Sequence, residues 1–128
     1  MATRIREKAE ARRQSKDNRP YAKAKYIRMS PSKVRIVLDT IRGKKAEEAM
    51  AILENSTTSA AAVCLKVLKS AIANGEYKGS NRQDMFVAEC YAGPGPTLKR
   101  LDIRARGRAN RLLKRTCHIT IILGNEQN

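Results

Sequence analysis

The chain has 128 residues, one domain's length, and its 27 Lys and Arg against 12 Asp and Glu leave a formal net charge of +15. A hydrophobic content of 41% supports one modest core, whereas so large a positive excess repels itself until a polyanion neutralises it, which puts nucleic acid first among partners and sets aside a merely solvated surface. No apolar run approaches the ~18 residues of a membrane span, and the N-terminus lacks the apolar segment of a secretory signal, so a cytoplasmic protein is expected.

Residues 1–20 alternate charged with small polar residues and end at Pro20. They read as a basic N-terminal arm, frayed or partly helical, that becomes ordered on its partner. Residues 21–128 read as a single globular domain. Its first stretch, YAKAKYIRM, is a strand of imperfect alternation, with Tyr21, Lys23, Lys25, Ile27 and Met29 on one side and Ala22, Ala24, Tyr26 and Arg28 on the other.

The segment SPSKVRIVLDTIRGKK predicts a helix: Ser30 can cap, Pro31 suits the first helical position, and Val34, Val37, Leu38 and Ile41 recur at i, i+3, i+4 and i+7. Gly43 fits a left-handed stop. A shorter stripe, Ala46, Ala49, Met50 and Leu53, ends near Asn55, and the junction of about two residues forces the two helices to pack as neighbours at a sharp angle. A third helix starts at Thr57, Thr58 or Ser59, lines one face with Cys64, Val67, Leu68, Ala71 and Ile72, and is expected to stop at Asn74-Gly75. From Met85 the period changes to two, in MFVAECY and again in CHITIIL, where Cys117, Ile119, Ile121 and Leu123 face opposite to His118, Thr120 and Ile122. The fold class is therefore α+β, three helices on a small, about three-stranded antiparallel sheet.

Between those two strands lies TLKRLDIRARGRANRLLKR, residues 97–115, with eight Lys or Arg and one acidic residue, Asp102. If the flanking strands pair, residues 93–115 form a long protruding β-hairpin whose tip stands about 30 Å beyond the sheet at ~3.3 Å per residue. An isolated two-stranded ribbon is marginal in water and needs something to lie against. Gly93, Pro94, Gly95 and Pro96 mark where the outgoing strand bends, and Gly107 is expected to relieve the return arm against another backbone.

Charge is segregated accordingly. Residues 1–30 hold ten basic and three acidic side chains and residues 94–118 hold eight and one, while residues 31–93 hold nine and seven. Arginine predominates in the hairpin, which suits bidentate phosphate contacts. Aromatic residues are only 4%, with one Phe, no Trp and four Tyr scattered along the chain, so no stacking platform for single-stranded bases is expected. Recognition of a prefolded RNA by shape and phosphate is the reading that remains. The alternative is an architectural DNA-binding protein, a dimer that lays its basic ribbon in the minor groove and wedges Ile103 between base steps.

Three ordered blocks, SPSKVRIVLDTIRGKKAEEAMAIL, KVLKSAIANGE and GPTLKRLDIRARGRANRLLKRTCHITIIL, strongly resemble the L-twenty-two family of bacterial large-subunit ribosomal proteins, over about residues 22–123. The resemblance implies a structural constituent of the large subunit, monomeric within the ribosome, whose partners are large-subunit rRNA, neighbouring ribosomal proteins and the nascent peptide in the exit tunnel. Carried over by position, it implies RNA contacts by Lys99, Arg100, Arg104, Arg106, Arg108, Arg111, Lys114 and Arg115 in the hairpin, and by Lys33, Arg35, Lys69 and Asn74 in the domain. Leu101, Asp102 and Ile103 are implied at the tunnel tip. Family members often carry proline where this chain has Ile103 and an apolar residue where it has Asp102, and many lack the N-terminal arm.

Nothing in the sequence assembles a catalytic site, a metal site or a cofactor pocket. His118, the sole histidine, neighbours Cys117 on a strand, so the two point to opposite faces and cannot share a ligand. Glu47 and Glu48 suit a helix start, and Gly93-Pro94-Gly95-Pro96 has no Lys-Ser/Thr partner to make a phosphate loop. Cys64, Cys90 and Cys117 are odd in number, lie in apolar runs and are expected to be buried reduced thiols.

Overall fold

The structure, a computed structural model, describes residues 2–125. In chain order these form α1 (Ala2–Gln14), β1 (Tyr21–Ile27), α2 (Pro31–Ile41), α3 (Ala46–Asn55), α4 (Ser59–Tyr77), a 3-10 turn (Arg82–Asp84), β2 (Met85–Pro94), β3 (Leu98–Ile103), β4 (Ala109–Lys114) and β5 (Cys117–Asn125). The α+β class holds: α2, α3 and α4 pack on an antiparallel sheet of order β1-β5-β2, and β3 and β4 form a separate ribbon. The additional helix is the N-terminal arm, regular over Ala2–Gln14, and its side chains from Thr3 onward are all exposed.

Strand β5 is central, paired with β1 along one edge and with β2 along the other. Cys117, Ile119, Ile121 and Leu123 are fully buried, facing Val34, Leu38 and Ile41 of α2 and Cys64, Leu68 and Ala71 of α4 in one core. Two bulges reset the alternation. In β1 the register with β5 shifts between Ala24 and Ile27, around Tyr26 at φ 57°. Ile27 therefore packs against the core with Ala22 and Ala24 instead of sharing the side of Tyr21, which corrects the two-sided assignment from sequence. In β2 the register shifts between Val87 and Glu89, so Met85 and Val87 and then Cys90 and Ala92 face inward.

Helix ends differ from expectation in three places. Ser30 occupies the cap position of α2 but caps nothing with its side chain, because its hydroxyl lies 2.9 Å from that of Ser32; Pro31 opens the helix as expected. The α2–α3 junction spans residues 42–45, longer than expected. Gly43 there takes φ 76°, its N–H donates to Val87 O at 3.0 Å, and Val87 N–H donates to Lys44 O at 2.9 Å, so the junction pairs with the outer edge of β2. Helix α4 runs on through Asn74-Gly75 to Tyr77. Gly75 is a contact residue, not a stop: a Cβ there would lie 2.6 Å from Met85 Sδ, so its smallness lets α4 approach the start of β2.

Candidate nucleic-acid interface

The ribbon prolongs the β2–β5 ladder. Pro94 still pairs with Cys117, Gly95 N–H donates to Thr116 O at 2.9 Å, and the Thr116 hydroxyl donates to Pro96 O. After this short break β3 and β4 pair from Leu98↔Lys114 to Ile103↔Ala109. Arg28 ties the base down by donating to Arg115 O. Residues 95–103, at ~3.3 Å each, set the turn about 30 Å from the sheet.

Register decides which side each cation faces, since directly paired residues share a face. One face carries Leu98, Arg100, Asp102, Asn110, Leu112 and Lys114; the other carries Lys99, Leu101, Ile103, Ala109, Arg111 and Leu113. Each face thus has two cations set among exposed apolar side chains. All of these residues are exposed except Asp102, which is half-buried. Such a ribbon has no inside, and its charge is aimed in both directions.

The chain reverses over residues 104–108, where Arg104 N–H donates to Arg108 O at 2.7 Å and Arg106 and Gly107 take φ 59° and 67°. Leu101, Asp102 and Ile103 are therefore the last residues of the outgoing arm, and the turn itself is Arg104, Ala105, Arg106, Gly107 and Arg108. Gly107 serves the turn's left-handed backbone, and nothing lies within 4 Å of where its Cβ would be; the expected close approach to another backbone does not occur. Asp102 pairs with Arg104 at 2.8 Å and fixes that one arginine beside the turn. Among the described residues, the side chains of Lys99, Arg106, Arg108, Arg111, Lys114 and Arg115 have no internal partner.

The domain residues form no comparable group. Lys33 is exposed at the start of α2. Arg35 Nε donates to Ala92 O at 3.0 Å, Lys69 pairs with Glu54 at 3.1 Å, and Asn74 Nδ2 donates to Tyr21 O at 2.9 Å. These three fasten helices to the sheet and to each other, which gives them an architectural task apart from any RNA contact. Arg42, which donates to Cys90 O at 3.0 Å, is a further strap that sequence reading did not single out.

His118 and Cys117 do lie on opposite faces. His118 Nδ1 accepts from Tyr26 N–H at 2.9 Å, and Cys117 is buried. All three cysteines are free and buried; desolvation raises each thiol, Cys64 to about 11. Among the described residues no cluster of His, Cys, Asp or Glu is arranged to hold a metal ion.

The profile of ribosomal protein L22p/L17e matches residues 22–124, from β1 through the ribbon to β5. The chain belongs to the ribosomal protein L22p/L17e family. Relatives bear it out: the large ribosomal subunit protein uL22 of Clostridium novyi is 54% identical over 101 residues, 78% of this chain and 91% of its own. That of Acaryochloris marina is 53% identical over 110 residues, covering 85% and 92%. The same protein of Clostridium acetobutylicum is 55% identical over 103 residues. Membership makes the chain a structural ribosomal protein and not an enzyme. The L22p/L17e match begins after α1, so that helix lies outside what the family profile describes.

Proposed function

We propose that this constituent of the large ribosomal subunit binds and bridges large-subunit rRNA, with the ribbon threaded through folded RNA and its turn lining the nascent-peptide exit tunnel. The observation that carries this reading is the ribbon's two-sided charge: Arg100 and Lys114 on one face, Lys99 and Arg111 on the other, and Arg104, Arg106 and Arg108 at the turn. A surface contact uses one face; cations on both faces and at the end suit RNA on all sides. Leu101, Ile103 and the turn are the parts placed to meet a nascent chain, with neighbouring ribosomal proteins meeting the body. Lys33 and Arg115 extend the RNA contact, and Arg35, Lys69 and Asn74 support it by holding the body together. Docking as a monomer follows from the partner being RNA on every side of the ribbon.

The decisive experiment compares wild type with the triple variant Arg104→Gln, Arg106→Gln, Arg108→Gln on protein-free large-subunit rRNA across a salt series. Each lost phosphate contact lowers the slope of log K against log salt by ~0.7 to 0.9, so a triple loss of about 2 is expected. Large subunits assembled with a ribbon shortened to a tight turn should be defective in assembly or in nascent-chain passage. An unchanged slope together with normal subunits would show that the ribbon does not engage RNA.

A further inference from the structure

The tyrosines that are scattered in the sequence converge in the fold. On the sheet face turned away from α2, α3 and α4, Tyr21 lies opposite Ile122, and Thr120 lies between Lys23 on β1 and Tyr91 on β2. The next row holds His118, whose ring meets that of Tyr26 edge-on with centroids 4.9 Å apart and planes at 87°. Tyr26 reaches this face only because the β1 bulge puts it in the left-handed region, where its N–H donates to His118 Nδ1 at 2.9 Å. The three tyrosines keep 51%, 67% and 52% of their surface exposed, while Thr120 between them keeps 4%.

The face is also basic. Lys23 and Lys25 are exposed on β1, Arg28 is exposed just after it with its guanidinium also donating to Arg115 O, and the carboxylate opposite, Glu89, is matched by Arg19 at 2.8 Å. It is continuous with the ribbon, because the row of His118 and Gly93 precedes the pair Pro94↔Cys117 from which the ribbon departs. Successive rows on one face are ~7 Å apart along the strands.

We propose that this open face is a stacking platform for unpaired nucleotides of the RNA that the ribbon engages, Tyr26, Tyr91 and Tyr21 offering ring faces and Lys23, Lys25 and Arg28 neutralising the backbone. The proposal rests on the RNA reading above and adds a second recognition chemistry to it. Every base has a π-face, so exposed rings among cations accept single strands with little sequence preference. A protein partner would be better served by an apolar face, and here the centre is Thr120 and a half-buried Ile122 with charges around them. Tyrosine on an open antiparallel face also follows from strand propensity alone, and the two explanations separate on replacement by leucine.

The test uses the full chain and protein-free large-subunit rRNA. The variant Tyr21→Leu with Tyr91→Leu should lose about tenfold in affinity for each ring removed, with the salt slope unchanged because no phosphate contact is lost. The variant Tyr21→Phe with Tyr91→Phe should bind like wild type, and thermal unfolding of both confirms that the sheet is intact. The chain has no Trp and four Tyr, so the part of the tyrosine quenching on binding that is lost in the Tyr21→Leu, Tyr91→Leu variant reports those two rings. Leucine variants that bind like wild type at every salt, or phenylalanine variants that lose as much as leucine ones, would overturn stacking. Either result leaves the ribbon reading standing as long as the arginine variants still lower the salt slope. If the arginine variants also leave the slope unchanged, the RNA reading itself fails.

Discussion

The sheet-and-helix body and the ribbon are made from the same chain under opposite rules. In the body, apolar side chains such as Leu38, Ile41, Leu68, Ile119 and Ile121 are fully enclosed, and acidic and basic residues are nearly balanced. In the ribbon, Leu101 and Ile103 remain 73% and 84% exposed and cations outnumber the single carboxylate eight to one. Burying apolar area supplies the body's stability internally. The ribbon has backbone pairing and a turn, which set its shape, but no enclosed surface to hold that shape firmly. A partner that supplies negative charge on both sides supplies what the ribbon lacks.

The comparison is broken most forcefully by truncating leucines. Leu38→Ala, at a site with no exposure, should cost about 3 to 5 kcal/mol in denaturant unfolding, whereas Leu101→Ala should stay within about 0.5 kcal/mol. Equal losses would mean that the ribbon has a core of its own. The glycines give the next largest contrast. Gly75→Ala drives a methyl against Met85 Sδ and should cost about 1 to 3 kcal/mol of global stability. Gly107→Ala meets open space but a left-handed backbone, so its cost of about 1 kcal/mol should be confined to the turn and be invisible in the body's unfolding midpoint.

Alkaline pH probes the body through its buried thiols. Burial raises the Cys64 thiol to about 11 from its ordinary 9.0, so the folded chain holds this proton more tightly than the unfolded one. The stabilisation is complete below 9.0 and is lost as pH rises towards about 11. Stability should therefore decline over that window, and Cys64→Ser or Ala should change the slope. At neutral pH the folded protein's thiols should resist an aromatic disulfide reagent until denaturant is added, because the thiolate is the reactive form.

Much of the body is legible in the sequence, because a helix that buries one stripe must repeat apolar residues at its own period. Val34, Val37, Leu38 and Ile41 are where the pattern puts them, as are Cys64, Val67 and Leu68. The errors come from places where one residue's neighbours in space, not in sequence, decide its state. Asn74-Gly75 has the composition of a helix stop, yet Asn74 is used by Tyr21 O and Gly75 by Met85, so α4 continues. The bulges at Tyr26 and Ala88 invert a strand's faces without any local signal beyond an imperfect alternation. That inversion also hid the aromatic face, since composition counts tyrosines and cannot tell that the register gathers three of them. The ribbon's charge was readable residue by residue; its division into two faces and the placing of the turn at residues 104–108 needed the pairing.

The smallest effect lies at the boundary between the arm and the body. Arg19 donates to Asp17 at 2.6 Å and to Glu89 at 2.8 Å, so one guanidinium joins the end of the arm to β2. Its hydrogen bonds to Asp17 lower that carboxyl to about 2 from an ordinary 3.8. The folded pKa is the lower one, so the contribution is present above 3.8 and is lost as pH falls through about 2. The pair is open to water, and its effect on the midpoint of acid unfolding should be slight. The local reading is sharper: the Asp17 carboxyl, followed by NMR, should titrate near 2 in wild type and return towards 3.8 in Arg19→Gln. A carboxyl that titrates normally in wild type would mean that the Asp17–Arg19 pair does not hold in solution. A depressed value would show that the pair which aims Arg19 at Glu89 is formed before any RNA arrives.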